Sequence, residues 1–306
     1  MSRKISPKER VRFLFRGQNA GYLFVAPAVV FLLTFTAYPV IRALIMSFSE
    51  VSNKGEIEGF IWFANWTQLI NDEIFIEAAV RSLYFAVLGM VGGIIFGVTL
   101  AQLINTRWIS SRVMNFLRGL AVLPWIFAIS IAALMWGLLL HRDGLINSFF
   151  LRIGLIEKPI MYIGNPDLAL SSLALIFIWR VTPFVMVMIL AALKSIPNEL
   201  YEAAYVDGAN WWKAFWRVTM PLIMPVILML MILSLVWGMG QFDLIKIITE
   251  GGPMDTTTTA SYYIYRVGFL TVNWSYGSTI AVSIFLINLI FAALYLYLSN
   301  RARPWK

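Results

Sequence analysis

Apolar stretches of membrane-crossing length recur along this chain, separated by shorter polar segments. They cover about 21–48, 77–104, 119–140, 168–193, 221–242 and 278–300. As a helix, each can cross ~30 Å of hydrocarbon, where a spanning segment must satisfy its own backbone groups. The pattern predicts an all-α polytopic membrane protein with six transmembrane helices. In the second stretch Gly89, Gly93 and Gly97 recur four apart, with Gly92 beside them. That face predicts close contact with another helix. Pro124 is expected to kink or end a helix inside the third stretch, and Pro183 lies inside the fourth. The first stretch is too long for the core of a signal peptide and lacks a convincing cleavage site, which predicts a retained anchor.

On the basic side of the chain the longest patterned polar interruption is 194–220, between the fourth and fifth stretches. Pro197 can open a helix, because its missing N–H would be unpaired there anyway. Glu199 and Glu202 then lie near the positive helix end. Ala203 and Ala204 offer a small-residue surface, and Gly208 can take the left-handed conformation that ends a helix. Asn210 can cap a second helix, on which Trp212 and Trp216 share a face. Pro221 and Pro225 lead into the next apolar run. Two short helices meeting at a glycine predict a rigid knob at the membrane surface.

Composition agrees with the pattern: 60% of residues are hydrophobic and 13% charged, against about 25% charged in soluble domains. There is no cysteine, which excludes disulfides, thiolate metal sites and thiol nucleophiles. The net charge of +8 is distributed for membrane orientation and does not call for a nucleic-acid partner. One set of segments holds Arg3, Lys4, Lys8, Arg10, Arg12, Arg16, Arg107, Arg112, Arg118, Lys194, Lys213, Arg217, Arg301, Arg303 and Lys306. The opposite set holds Lys54, Arg142, Arg152, Lys158, Lys246 and Arg266, with most of the acids. The positive-inside rule then puts both termini and the 194–220 loop in the cytoplasm. The expected organisation is a basic cytoplasmic segment (1–19), a six-helix domain (20–300) and a short cytoplasmic tail (301–306).

Candidate chemistry is sparse. No G-x-x-x-x-G-K-[ST] phosphate loop occurs, so any ATP-driven step belongs to another polypeptide. The single histidine, His141, falls at a span end, and no carboxylate lies deep in a span. That argues against proton coupling, although Na⁺ coupling through carbonyls stays open. Arg180 is read as the one deep charge. It could meet an anionic or hydroxyl-rich substrate, or pair with a carbonyl or a neighbouring subunit.

Glu202-Ala203-Ala204, Asp207-Gly208-Ala209 and Met220-Pro221-Leu222 resemble the EAA loop of inner-membrane permease subunits of ABC importers. Tyr38-Pro39, Leu123-Pro124-Trp125, Trp179 with Pro183, Gly251-Gly252-Pro253 and Tyr276-Gly277 extend the similarity to maltose-type permeases over essentially the whole chain. The resemblance implies the type I ABC importer permease fold in a bacterial inner membrane. It implies ATPase coupling through Glu202, Ala203, Ala204, Asp207, Gly208 and Ala209. It also implies a substrate cavity built from Phe177, Arg180, Val181 and Phe184 on the fourth span and Ser234, Trp237, Gly238 and Gln241 on the fifth, with helix packing as the other reading of each. Gly238 stands where maltose permeases place an asparagine, which puts maltose itself in doubt. Gly251, Gly252 and Pro253 would meet an extracytoplasmic sugar-binding protein. The implied partners are a second permease subunit, two ATPase subunits that bind ATP and Mg, the binding protein and the bilayer. No cofactor is expected in this chain. The implied activity is import of an oligosaccharide or glycoside by alternating access. The alternatives are a glycerol phosphate or acidic-saccharide importer and, in another class, an ion-coupled secondary transporter.

Overall fold

The computed structural model describes residues 18–105 and 110–301. Arg3, Lys4, Lys8, Arg10, Arg12, Arg16, Arg107, Arg303 and Lys306, on which much of the orientation argument rests, lie outside the described residues. The helix α1 (Gln18–Leu32) passes through a π-helical turn, Leu33–Ala37, into α2 (Tyr38–Ser47). A small antiparallel hairpin follows, β1 (Ser49–Val51) with β2 (Ile57–Phe60), then α3 (Ala64–Ile70) and the long α4 (Glu73–Ile104). Next come α5 (Ser111–Ile126), α6 (Ile129–Leu139), α7 (Leu145–Arg152) and α8 (Pro166–Lys194). The short α9 (Asn198–Val206) and α10 (Trp211–Ala214) precede α11 (Met220–Met239) and α12 (Asp243–Ile248). The chain ends through α13 (Ala260–Tyr265) and α14 (Trp274–Arg301).

Among the described residues five helical segments are long and apolar enough to cross a membrane, and a sixth if the bent pair α5–α6 counts as one. That pair corrects the expected third span. It starts at Ser111 rather than near 119, and it does not break at Pro124. The helix runs on to Ile126, and the extended residues Phe127 (ψ 134°) and Ala128 (ψ 135°) turn the chain by 96°. A proline forbids a hydrogen bond from its own nitrogen and crowds the preceding turn, but the residues after it can still close theirs. Phe127 N–H, for example, donates to the Leu123 carbonyl.

The expected boundary between the polar loop and the fifth span is also absent. Trp211–Ile248 forms one apolar unit in which α10 passes through a π-helical turn, Phe215–Thr219, into α11. Pro221 follows that turn by two residues, as Pro39 follows the turn Leu33–Ala37. A proline ring clashes with the carbonyl four residues back. A π turn there widens the helix and relieves the clash without breaking it.

The core is the contact of α4 with α8. A Cβ placed on Gly89, Gly93 or Gly97 would lie 2.4, 2.6 and 2.4 Å from side-chain atoms of Phe177, Val181 and Val185, and one on Gly92 would lie 2.4 Å from Ile178. The predicted glycine face is therefore the seam along which the two helices pack. Around it Phe85, Leu173, Ile176 and Phe177 form one buried cluster, and Val185, Met186, Ile189, Ile223 and Leu230 another. Arg42 and Arg81 also lie in long helices, so Arg180 is not the sole intrahelical cation. Arg42 donates to the Gly55 carbonyl (3.1 Å), and Arg81 pairs with Glu77 (2.5 Å).

At the end away from α9–α10, polar side chains tie the connecting segments together. Asp72 caps α4 through Phe75 N–H and accepts from the hydroxyls of Tyr263 (2.6 Å) and Tyr276 (2.5 Å). Asn65 donates to Ser275 Oγ at 3.0 Å, which in turn donates to the Ser49 carbonyl. Ala260 N–H donates to the buried Ser82 hydroxyl at 2.8 Å. These bonds fix α13 and the start of α14 against the base of α4.

Candidate functional site

Three places on this scaffold carry the candidate residues. The first is the hairpin α9–α10. Pro197 takes the position before the helix (ψ 136°) rather than its first turn, so α9 begins at Asn198. Its C-terminus is closed in a double bond pattern: Gly208 N–H donates to the Tyr205 carbonyl (3.0 Å) and Ala209 N–H to Ala204 (2.9 Å). This Schellman arrangement needs a left-handed residue, and Gly208 supplies it at φ +78°. Asn210 Oδ1 accepts from Lys213 N–H (2.9 Å) and caps α10, as its residue type predicts. Tyr201 and Thr219 hydroxyls, 2.9 Å apart, tie the hairpin to the base of α11. Trp212 and Trp216 do share a face, with ring centroids 5.9 Å apart. Glu202, Ala203, Asp207 and Gly208 are exposed, Ala204 and Ala209 half-buried, and Val206 is 88% exposed. The knob thus presents acidic, small and apolar groups outward together, with nothing among the described residues covering the exposed ones.

The second place is a cavity of about 410 Å³ lined by residues of α8, the α11–α12 junction, α5 and α6. Phe177, Arg180, Val181, Trp237 and Gln241 line it, joined by Trp125 and Asp243. Phe184 backs the aromatic wall, with its ring centroid 5.4 Å from Trp125 and 5.2 Å from Trp237. Two candidates sit elsewhere. A Cβ on Gly238 would come within 2.6 Å of Ala86, so this glycine serves the contact of α11 with α4. Ser234, one helical turn before it, is buried with its hydroxyl unpartnered. Phe177 and Val181 play both parts, lining the cavity while packing on Gly89 and Gly93.

The cavity's polar side chains make no hydrogen bond among the described residues. Arg180 Nε is buried without a hydrogen-bond partner. Gln241 is buried with only its backbone N–H engaged. Asp243 fell in a segment expected to connect two spans, whereas it opens α12 and lines the cavity. The only signal was its closeness to Gln241.

The third place is the turn after α12. Gly251 has φ +85°, and a Cβ there would strike Thr258 Oγ1 (2.5 Å) and Tyr262 (2.7 Å). The hydroxyl of Thr257 donates to the Gly252 carbonyl (2.7 Å), and Arg266 pairs with Asp255 (2.7 Å). Gly251 is buried and Gly252 and Pro253 half-buried, while Met254 is 82% exposed. The glycines shape the turn, and Met254, which the sequence reading passed over, is its outward tip. Below the turn, burial alone would raise the Asp72 carboxyl, but hydrogen bonds from Tyr263, Tyr276 and backbone N–H groups outweigh it and hold the group below its ordinary value. Burial first, and Asp72 second, push the Tyr263 phenol up.

Residues 89–304 match the family described as binding-protein-dependent transport system inner membrane component. The chain is 33% identical to the sulfoquinovosyl glycerol transport system permease protein SmoG of Agrobacterium fabrum, over 90% of this chain and 88% of that protein. It is 31% identical to the lactose transport system permease protein LacF of Rhizobium radiobacter, over 92% and 95%. Among solved structures it resembles a bacterial ABC transporter involved in import of the acidic polysaccharide alginate. The TM-score is 0.82 at 26% identity, covering 96% of this chain and 99% of that one. The same transporter in complex with an alginate pentasaccharide-bound periplasmic protein matches with a TM-score of 0.80 at 25% identity, covering 92% and 94%.

Proposed function

We propose what this chain does from one premise: it belongs to the binding-protein-dependent transport system inner membrane component family. It is a multi-pass permease subunit of an ABC importer for carbohydrates, and ATP hydrolysis falls to separate subunits. This membership sets aside the ion-coupled alternative. Our own reading concerns the substrate, the partners and the residues. The substrate is an oligosaccharide or glycoside that crosses at the cavity between α8 and α11. The observation that carries this is the juxtaposition of aromatic faces (Trp125, Phe177, Trp237) with free polar groups (Arg180, Gln241, Asp243) around one space. Rings suit the C–H faces of a sugar, and unpaired donors and acceptors suit its hydroxyls. A volume of about 410 Å³ falls within the ~300–1,000 Å³ typical of small-molecule sites.

The partners are a second permease subunit, two ATPase subunits and an external binding protein. With the α9–α10 knob in the cytoplasm, Glu202, Ala203, Ala204, Asp207, Gly208 and Ala209 dock an ATPase subunit. The turn at Gly251, Gly252 and Pro253, with Met254 at its tip, meets the binding protein from the other side. ATP then favours an outward-open state, the binding protein delivers sugar, and hydrolysis restores the inward state. A shift from 1:99 to 99:1 between such states requires about 5.5 kcal/mol of differential stabilisation. The test is uptake by the reconstituted complex, screened against neutral and acidic saccharides. Trp237→Ala and Arg180→Ala should cut uptake at least several-fold while the complex still assembles. Undiminished uptake in both variants would refute the assigned path.

A further inference from the structure

The charges around the cavity are balanced, yet the two groups that balance do not join. Arg180, near the middle of α8, and Asp243, in the first turn of α12, line the same space. They come from elements far apart in sequence. Among the described residues the ion pairs within 4.0 Å are Glu77–Arg81, Lys246–Glu250 and Asp255–Arg266. Arg180 and Asp243 are not among them. A lone guanidinium in an apolar wall would attract anions strongly, because charges in low dielectric are poorly screened. A carboxylate across the same space cancels most of that field at a distance but leaves both groups free to hydrogen-bond locally.

We infer that Asp243 is a second charged residue of the transport cavity, and that it offsets Arg180 so that the cavity favours an uncharged, hydroxyl-rich substrate over an anionic one. This deepens the functional reading above and rests on it for the identity of the passage. It separates this chain from the glycerol phosphate and acidic-saccharide alternatives. Arg180 donates, Asp243 accepts and Gln241 does both, which is the complement a sugar diol presents.

The chain contains no cysteine, so one introduced thiol reports the local potential without knowledge of the substrate. Gln241→Cys, and separately Ile129→Cys on the facing wall, are placed in the chain and assembled with its partners. Their reaction rates are compared for cationic aminoethyl and anionic sulfonatoethyl methanethiosulfonate, read on this chain by mass. With Arg180 and Asp243 both present, the two rates should be similar after correction for intrinsic reactivity. Asp243→Asn should raise the anionic-to-cationic ratio about 10-fold, the scale of electrostatic focusing in a cleft. Arg180→Gln should lower it by a similar factor, and the double variant should return it. A ratio unmoved by Asp243→Asn, or no reaction at either thiol, would overturn the inference. In uptake, Asp243→Asn should shift preference from a neutral disaccharide toward its uronic-acid counterpart. If the unmodified complex takes up neither sugar while the labelling ratios behave as stated, the functional reading fails and the charge balance stands.

Discussion

Replacing Gly208 separates backbone shape from surface chemistry in the α9–α10 hairpin. The residue sits at φ +78°, and a Cβ built on it meets no heavy atom within 4 Å. Substitution therefore costs no steric room within this chain, only the strain of a left-handed L-residue, ~1–2 kcal/mol. That strain acts on the bonds from Gly208 and Ala209 N–H to the Tyr205 and Ala204 carbonyls. A loss of that size reduces the properly closed hairpin by a factor of about 5–30 relative to open forms. Valine, branched at Cβ, bears the most strain, while asparagine tolerates this conformation best after glycine. The assay is sugar uptake against ATP hydrolysis in proteoliposomes holding the whole complex. Gly208→Val should lower sugar transported per ATP several-fold, and Gly208→Asn should retain most of it. Wild-type coupling in the valine variant, or equal loss with asparagine, would refute the argument that the closed hairpin transmits the motion.

Gly97→Ala should lower the melting temperature of the purified complex, because its Cβ would lie 2.4 Å from Val185 Cγ1 and 3.2 Å from the Met186 backbone nitrogen. Overpacking of this kind costs about 1–3 kcal/mol. The same change at Gly119, which has no atom within 4 Å of its would-be Cβ, should be neutral or slightly stabilising. Acidification gives a third test. Since Asp72 is depressed in the fold, its contribution is present above the unfolded carboxyl value, ~3.9, and is lost as pH falls through the lower folded value. A melting-temperature scan should fall toward low pH more steeply for wild type than for Asp72→Asn. Tyr263 has the opposite sign: its raised value gives a contribution present below an ordinary phenol's ~10 and lost as pH rises through the folded value. Tyr263→Phe should flatten the alkaline limb of the same scan.

What was legible in the sequence was what local rules govern. Hydropathy located the long helices because each must satisfy its backbone within the hydrocarbon. Four-residue glycine spacing located the α4–α8 seam because helical geometry puts those residues on one face. Gly208 and Asn210 announced the hairpin's cap and turn through their backbone and side-chain preferences. The misses were non-local or concerned how a helix absorbs strain. The 96° break at Phe127 and Ala128 lies beyond the proline that suggested it. A π turn ahead of Pro221 joins helices where a boundary was expected, and another lets the first span run past Pro39. Gly238 was assigned to the cavity through the resemblance to maltose-type permeases, yet only the packing of α11 on Ala86 reveals its direction. Asp72 bonds to Tyr263 and Tyr276, and Asp243 shares a cavity with Arg180, across long stretches of sequence, and nothing in one chain's letters brings them together.

The central claim is that this subunit is a gate moved by a motor in other chains. It is tested by uptake of a radiolabelled disaccharide, chosen from the saccharide screen, into vesicles. The vesicles hold either this chain alone or this chain with its second permease, ATPase subunits and binding protein. The lone chain should give no flux above empty vesicles, and the complete assembly should accumulate sugar in an ATP-dependent manner. Sustained uptake by the lone chain, or uptake by the assembly that is indifferent to ATP, would contradict it.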